Sequence, residues 1–285
     1  MNNVVASARL FARAPAPLHC GVLAEARYLE QSQPRGLIDA LAAQGHRVSV
    51  VDTAAGVLNV DDPRWLDGLD VVVARGRSPE LLARLAAAEA AGIPTPNRRR
   101  AIASVLDKAH MATVLHAAGI PTPQTWVGGI AQLRREIPRS AYPIVVKPVF
   151  GDNGRDIRIV DTPQALEQLA WSEPSAIAQR YVANDGFDVK LYVIGMRVWA
   201  MRKPSPLHAG TAPTTPLVVS PAWRDLAQRC GEAFGLRLFG VDCIESSGGL
   251  EVIEVNDFPN YTGVPAAGAL LATHVLQHVQ ARRPA

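Results

Sequence analysis

Three oxygen-bearing side chains stand out near the end of the chain: Asp242 in "LFGVDCI", and Glu254 and Asn256 in "LEVIEVNDFPNYTG". Side chains alternate along a strand, so Glu254 and Asn256 share one face while Ile253 and Val255 take the other. A hairpin closed by Ser247-Gly248-Gly249 would set Asp242 opposite Glu254. Such a patch of hard oxygens suits Mg²⁺ held beside substrate phosphates; a merely solvated hairpin face is the plain alternative. Upstream, "YPIVVKPVFGDNGRDIRIV" carries Lys147 at a strand end, then a turn from Gly151 to Gly154. An ammonium there can hold a phosphate by charge while glycine lets backbone N–H groups approach its oxygens. The same pattern also serves an ordinary hairpin. Lys108, in "LDKAHMATVLHAAGIPTP", is a further cation that a solvated helix would equally explain. Neither GxxxxGK[ST] nor GxGxxG occurs in the chain.

The elements that must position these residues change in style along the chain. "HCGVLAE", "HRVSVVD" and "LDVVVARG" read as strands. "PRGLIDALAAQG" and "SPELLARLAAAEAAG" read as helices, the first closed by Gly45 and the second capped by Ser78. That alternation implies a small parallel sheet, and the continuous apolar strands imply helices on both of its faces. A helical pair follows from about Arg98 to Ala118, and from Tyr142 strands dominate. "YPIVVKPVF", "RDIRIVD", "AIAQRYV", "FDVKLYVIG" and "RVWAMRK" read as an antiparallel meander with one helix near Pro163 to Trp171, an α+β arrangement. "KPSPLHAGTAPTTPLVVSP" reads as a long irregular loop. A helix over Ala222 to Phe234, a hairpin, and a last helix from about Val264 complete the chain.

Composition narrows the function classes. With 285 residues, 48% of them hydrophobic and 19% charged, the chain is ordinary globular material of about two domains. A formal charge of +3 is too small and dispersed for a nucleic-acid partner. Cys20, Cys230 and Cys243 lack the spacing of a metal cage and are odd in number, which suits a reducing, cytoplasmic setting. Cys243 is expected to point inward as a small core residue. No apolar run is long enough to span a membrane, and residues 1–17 read as a leader without regular structure. Arg75 and Arg77 follow a strand at its C-terminal end, where open α/β sheets bind ligands, so they are candidates for a substrate carboxylate as well as for solvated loop residues. His274 and His278 lack a third metal ligand and are expected at the surface.

Taken in order, "GIPTPNRRRAIASVLDKAHMATVLHAAGIPTPQT", "VVKPVFGDNGRDIRIV", "IAQRYVANDGFDVKLYVIGMRVWAMRKPSP" and "FGVDCIESSGGLEVIEVNDFPNYTGV" resemble the ATP-grasp superfamily, in its glutamate-ligase-like branch. The resemblance implies an α/β plus α+β fold: a pre-ATP-grasp parallel-sheet domain over 18–97, a central and lid subdomain over 98–182, and a C-terminal antiparallel-sheet subdomain over 183–285. It implies ATP and two Mg²⁺ ions, with Mn²⁺ able to substitute. Lys108 and Lys147 match the nucleotide-phosphate lysines, and Gly151, Asp152, Asn153 and Gly154 match the lid turn. In "QRYV", Gln179, Tyr181 and Val182 match the hinge, with the backbones of Gln179 and Val182 pairing with adenine. Asp188 matches a ribose contact, and Lys190 a basic residue beside it. Asp242, Glu254 and Asn256 match the metal ligands. Arg202 and Lys203 are placed to contact the transferred phosphoryl group or the acceptor carboxylate, and Tyr261 is a candidate either to line the acceptor pocket or to cap the core.

Some positions depart from the family pattern. Arg180 replaces a frequent acid, Asp156 a frequent glycine, and Pro204 to Ser220 lacks the arginine and glycine pair common in the glutamate-ligase branch. "NDFPNYTGV" and "RKPSP" also resemble inositol phosphate kinases. The leading expectation is an ADP-forming carboxylate–amine ligase acting through an acylphosphate on small-molecule substrates. A small-molecule kinase is the alternative and a non-catalytic ATP-binding protein a further one. A homodimer is left open.

Overall fold

The computed structural model describes residues 16–151, 154, 156–207 and 212–281. The first fifteen residues of the expected leader therefore lie outside the described residues, as do Asp152 and Asn153. The chain begins with β1 (His19–Ala24), α1 (Ala26–Leu29), α2 (Ser32–Ala43), β2 (Arg47–Asp52), β3 (Val71–Arg75) and α3 (Pro79–Ala90). The strands form a parallel sheet in the order β2-β1-β3. Ser78 starts α3 by accepting from the Leu81 N–H at 3.2 Å, with Pro79 at the first helical position.

Next come α4 (Arg99–Leu106) and α5 (Lys108–Ala117). Asp107 ends the first and caps the second, its Oδ1 accepting from Ala109 N at 2.9 Å and His110 N at 3.0 Å. That cap sets Lys108 as the first residue of α5. The chain continues through β4 (Thr125–Gly128), α6 (Ile130–Glu136), β5 (Ile144–Pro148), β6 (Arg158–Val160), α7 (Pro163–Glu167) and β7 (Ala176–Arg180). These strands make an antiparallel sheet in the order β4-β7-β5-β6. The last part holds β8 (Phe187–Ile194), β9 (Arg197–Pro204), β10 (Thr215–Leu217), α8 (Pro221–Phe234), β11 (Leu238–Ser246), β12 (Gly249–Asp257) and α9 (Ala267–Gln280). Its sheet is antiparallel, in the order β10-β9-β8-β11-β12.

The fold class is as expected, with three differences in how it is assembled. The strands from Tyr142 onward do not form one meander: they divide into two sheets, because β5 pairs with β7 across the intervening β6 and α7. β4 and α6 are additional elements beyond those expected. The proline-rich stretch contains β10, which pairs with β9 at the sheet's edge, the place where a strand tolerates Pro216.

The cores show which segments belong together. α4 is a wedge: Ile102 and Leu106 pack with Leu23, Val72, Leu81 and Leu85 of the first domain. Ala101 and Val105, on another side, join Met111, Leu115, Leu191, Val241 and Phe234 under the large antiparallel sheet. Residues 101–120 are therefore built into the core of the C-terminal sheet, and the small sheet with its own core of Leu133, Ile144, Val146, Leu166 and Ala178 starts only at β4. α9, the last helix, covers the first sheet, its Leu271 and Val275 meeting Leu37 and Leu41 of α2 and Cys20 and Val73 of the sheet. Asn97 ties the parts at one point, accepting from Arg237 N (2.9 Å) and Leu238 N (3.1 Å) and donating to Leu238 O (2.6 Å). Among the described residues no helix is long and apolar enough to cross a membrane.

Candidate active site

Between the two antiparallel sheets, and closed at one end by the loops after β1 and β3, lies a cleft of about 440 Å³. The hairpin of β11 and β12 forms its floor. Asp242 pairs with Glu254 as expected, but by a different route. The turn is the two residues Ser247 and Gly248, and Ile253 is an extra residue on β12, since Cys243 pairs with Val252 while Asp242 pairs with Glu254. The bulge restores the register that the shorter turn would have shifted. It also changes one face: Ile253 does not join Val255 in the core but lines the cleft with Glu254 and Asn256.

Cations converge on this floor. Lys190 Nζ lies 2.5 Å from Asp242 Oδ2, and Lys108 Nζ lies 3.1 Å from Glu254 Oε1. Lys147, from β5 of the opposite sheet, donates to the Ile253 carbonyl at 3.2 Å. Asn256 bridges two groups: its Nδ2 donates to Asp242 Oδ2 at 2.7 Å, and its Oδ1 accepts from Arg77 Nη2 at 3.0 Å. Burial, helped by the nearby Lys108, pushes Lys147 down to about 8, against the pull of Glu254. For Glu254 burial works to raise the pKa, but Lys108, Lys147, Arg77 and Lys190 together outweigh it and hold the carboxyl below its ordinary range. Burial, with Asp242 adding to it, pushes Asp188 above the ordinary carboxylate range.

The donor set fits a hard divalent cation. Asp242 Oδ1 is buried with no hydrogen-bond partner among the described residues, a costly arrangement that a coordinated ion would relieve. Two carboxylates and one amide oxygen leave room for waters and phosphate oxygens, as Mg²⁺ prefers.

Most of the expected residues meet in this cleft. Lys147, Gly154, Gln179, Tyr181, Val182, Asp188, Lys190, Lys203, Arg75 and Arg77 all line it with the floor residues. The Gly151 carbonyl receives Lys108 Nζ at 2.9 Å and Arg77 Nη1 at 3.2 Å. Gln179 is a central-strand residue with Thr125 opposite on one side and Val145 on the other, so its main chain belongs to the sheet. Val182 lies beyond the strand's end and outside that ladder.

Arg202 and Tyr261 do not line the cleft, and Tyr261 follows the core-capping reading. Arg202 alternates with Lys203 on β9 and points the other way, stacked 3.4 Å over the Phe187 ring and paired with Asp185 at 2.6 Å. Tyr261 is buried in the core, its hydroxyl donating to Val193 O at 3.0 Å. Phe258 (φ 35°) and Tyr261 (φ 53°) both take left-handed backbone that bulky residues seldom adopt. Those turns bury both rings and present Asn260 and Thr262 to the cleft instead. No sequence signal marks that exchange. Tyr28 and Tyr192, also unforeseen, line the same end, with Arg75 4.2 Å over the Tyr28 ring. His274 and His278 are half-buried rather than at the surface; burial, with His278 and Arg237 nearby, pushes His274 down to about 4. Cys243 is fully buried, as expected.

Comparison with known proteins identifies the fold and the family. Two probable alpha-L-glutamate ligases are similar: that of Pseudomonas putida is 28% identical over 276 residues, covering 86% of this chain and 90% of the relative. That of Chromohalobacter salexigens is 28% identical over 293 residues, covering 92% and 95%. Among solved structures, a RimK domain ATP-grasp protein from Sphaerobacter thermophilus superposes with a TM-score of 0.72 at 26% identity, over 90% of this chain and 99% of that one. D-cycloserine synthetase DcsG has a TM-score of 0.71 at 18% identity, over 92% and 99%, which shows the shared fold. The family model described as the RimK-like ATP-grasp domain matches residues 105–279, more than half of the sequence, and the chain belongs to that family.

Proposed function

We propose that this ATP-grasp ligase joins a carboxylate to an amine by way of an acylphosphate, converting ATP to ADP and phosphate. The observation that carries the reading is the floor itself: Asp242, Glu254 and Asn256 on one face, ringed by Lys108, Lys147 and Lys190. A carboxylate resists attack by an amine because its oxygen is a poor leaving group. Phosphorylating that oxygen makes the leaving group phosphate.

Each part of the cleft has a share in this. Val145, Val182 and Ile244 offer apolar walls for adenine, with the hinge main chain at Val182 as its polar contact. Asp188 faces the ribose. Lys108 and Lys147 hold the triphosphate by charge, under the turn that opens at Gly151. Asp242, Glu254 and Asn256 would hold two Mg²⁺ ions, which when bound neutralise charge on the transferring phosphoryl group. A carboxylate oxygen of the acceptor attacks the γ-phosphorus in line and ADP leaves. The amine then attacks the acyl carbon, phosphate departs, and the ammonium so formed loses its proton. Lys203 and Arg75 sit where the acceptor's carboxylate would lie, and Asn260 and Thr262 where its remaining polar groups would be met.

L-Glutamate is the first substrate to test, since similar proteins are named for it. The protein is incubated with ATP, Mg²⁺ and pairs drawn from a panel of amino acids, with ADP and free phosphate assayed and products weighed by mass spectrometry. Phosphate release that requires both an acid and an amine, with an amide of matching mass, is expected. A stable phosphorylated acceptor formed without an amine would replace the ligase reading with a kinase.

A further inference from the structure

Each side chain assigned to the metal is hydrogen-bonded to a different cation: Asp242 to Lys190, Glu254 to Lys108, and Asn256 Oδ1 to Arg77. The carboxylates each have a second oxygen to offer, and Asp242 Oδ1 has no hydrogen-bond partner among the described residues, but the amide of Asn256 has only Oδ1, so a metal ion bound there would lie against the Arg77 guanidinium. Lys108 and Lys190 belong to the set expected around ATP. Arg77 comes from another part of the chain, the connection from β3 to α3 in the first domain. Its second arm reaches the carbonyl of Gly151, where the glycine turn opens and where Lys108 also donates.

The main chain under Arg77 is held firmly. Glu25, a buried carboxylate after β1, accepts through Oε1 from the main-chain N–H groups of Arg77 and of Ser78, the latter at 2.9 Å. Gly76 must be glycine for this, since a Cβ there would lie 2.6 Å from Glu25 Oε1 and 2.7 Å from Leu81 Cδ1. The anchor is fixed, so a change of partner at Arg77 is a change of its side chain alone.

We infer that Arg77 is a triphosphate-contacting residue lent by the first domain, and that it masks Asn256 until a triphosphate arrives. The guanidinium then passes from Asn256 Oδ1 to a phosphate oxygen beside the Gly151 turn, and the amide oxygen becomes available to the metal. A planar fork suits both partners. The positive charge opposes a free divalent cation and favours a phosphate, so metal and nucleotide assist each other's binding through the same side chain. The inference rests on the proposed metal role of Asp242, Glu254 and Asn256.

The test is Mn²⁺ binding, read from the free-ion electron paramagnetic resonance signal, with and without a non-hydrolysable ATP analogue. It compares wild type with R77A, R77Q and R77K. Without nucleotide, R77A and R77Q are expected to bind Mn²⁺ roughly tenfold tighter than wild type, and R77K to stay close to wild type. The strengthening of Mn²⁺ binding by the analogue shrinks by the same factor in the two neutral variants. Unchanged or weaker nucleotide-free binding in R77Q, in protein that still binds Mn²⁺ with the analogue, overturns the masking role alone. If wild type binds no Mn²⁺ even with the analogue, the metal reading falls and this inference with it.

Discussion

Lys147 is the side chain whose chemistry the cleft alters most legibly. Burial lowers its pKa to about 8, well under the ordinary 10.5. Folding therefore favours the neutral amine, the unfolded chain binds more protons between those values, and stability rises with pH across that window. Triphosphate binding needs the ammonium, so affinity runs the opposite way. The KM for ATP is expected to stay level up to about pH 8 and climb above it. In K147R, whose guanidinium keeps its charge throughout, the KM should stay flat to about pH 9.5. Steady-state kinetics from pH 6.5 to 9.5 decide this, and a wild-type KM that ignores pH would remove Lys147 from the phosphate site.

β11 shows how a strand can carry a site by having no side chain at one position. Gly240 lies between Tyr192 of β8 and Asn256 of β12. A Cβ there would approach Lys190 Cε to 2.9 Å and Pro259 Cγ to 3.1 Å. The stem of Lys190 crosses over Gly240 to reach Asp242, so a methyl group would displace the lysine sideways. G240A should raise the KM for ATP about tenfold, while the melting temperature falls by only a few degrees. A KM equal to that of wild type, with the melting temperature lowered, would mean that Gly240 serves packing alone.

Across the molecule, α9 is pinned to α2 of the first sheet's layer. α9 lies against α2 so closely that a Cβ on Gly268 would fall 2.3 Å from the carbonyl oxygen of Gly36. Backbone meets backbone there, and no rotamer change can make room. G268A should destabilise the protein by about 1–3 kcal/mol through overpacking, seen as a lower urea midpoint. The same contact holds the first sheet, and with it Arg75 and Arg77, against the floor of the cleft. An unshifted midpoint would show that the helices part without cost.

Local patterns in the sequence were sufficient where the physics is local. The cap at Ser78, the shared face of Glu254 and Asn256 and the order of most strands and helices follow from neighbours a few residues apart. So does the pairing of Asp242 with Glu254, although a shorter turn and the bulge at Ile253 cancel to produce it. Alternation also shows that Arg202 and Lys203 face opposite ways, but only packing between distant segments selects Lys203 for the cleft. The burial of Tyr261, the placing of Asn260 on the cleft, the separation of the strands into two sheets and the covering of the first sheet by α9 are likewise outcomes of that packing. They depend on which surfaces exclude water together once the chain has closed on itself. Arg77 and Asn256 stand 179 positions apart and meet only then.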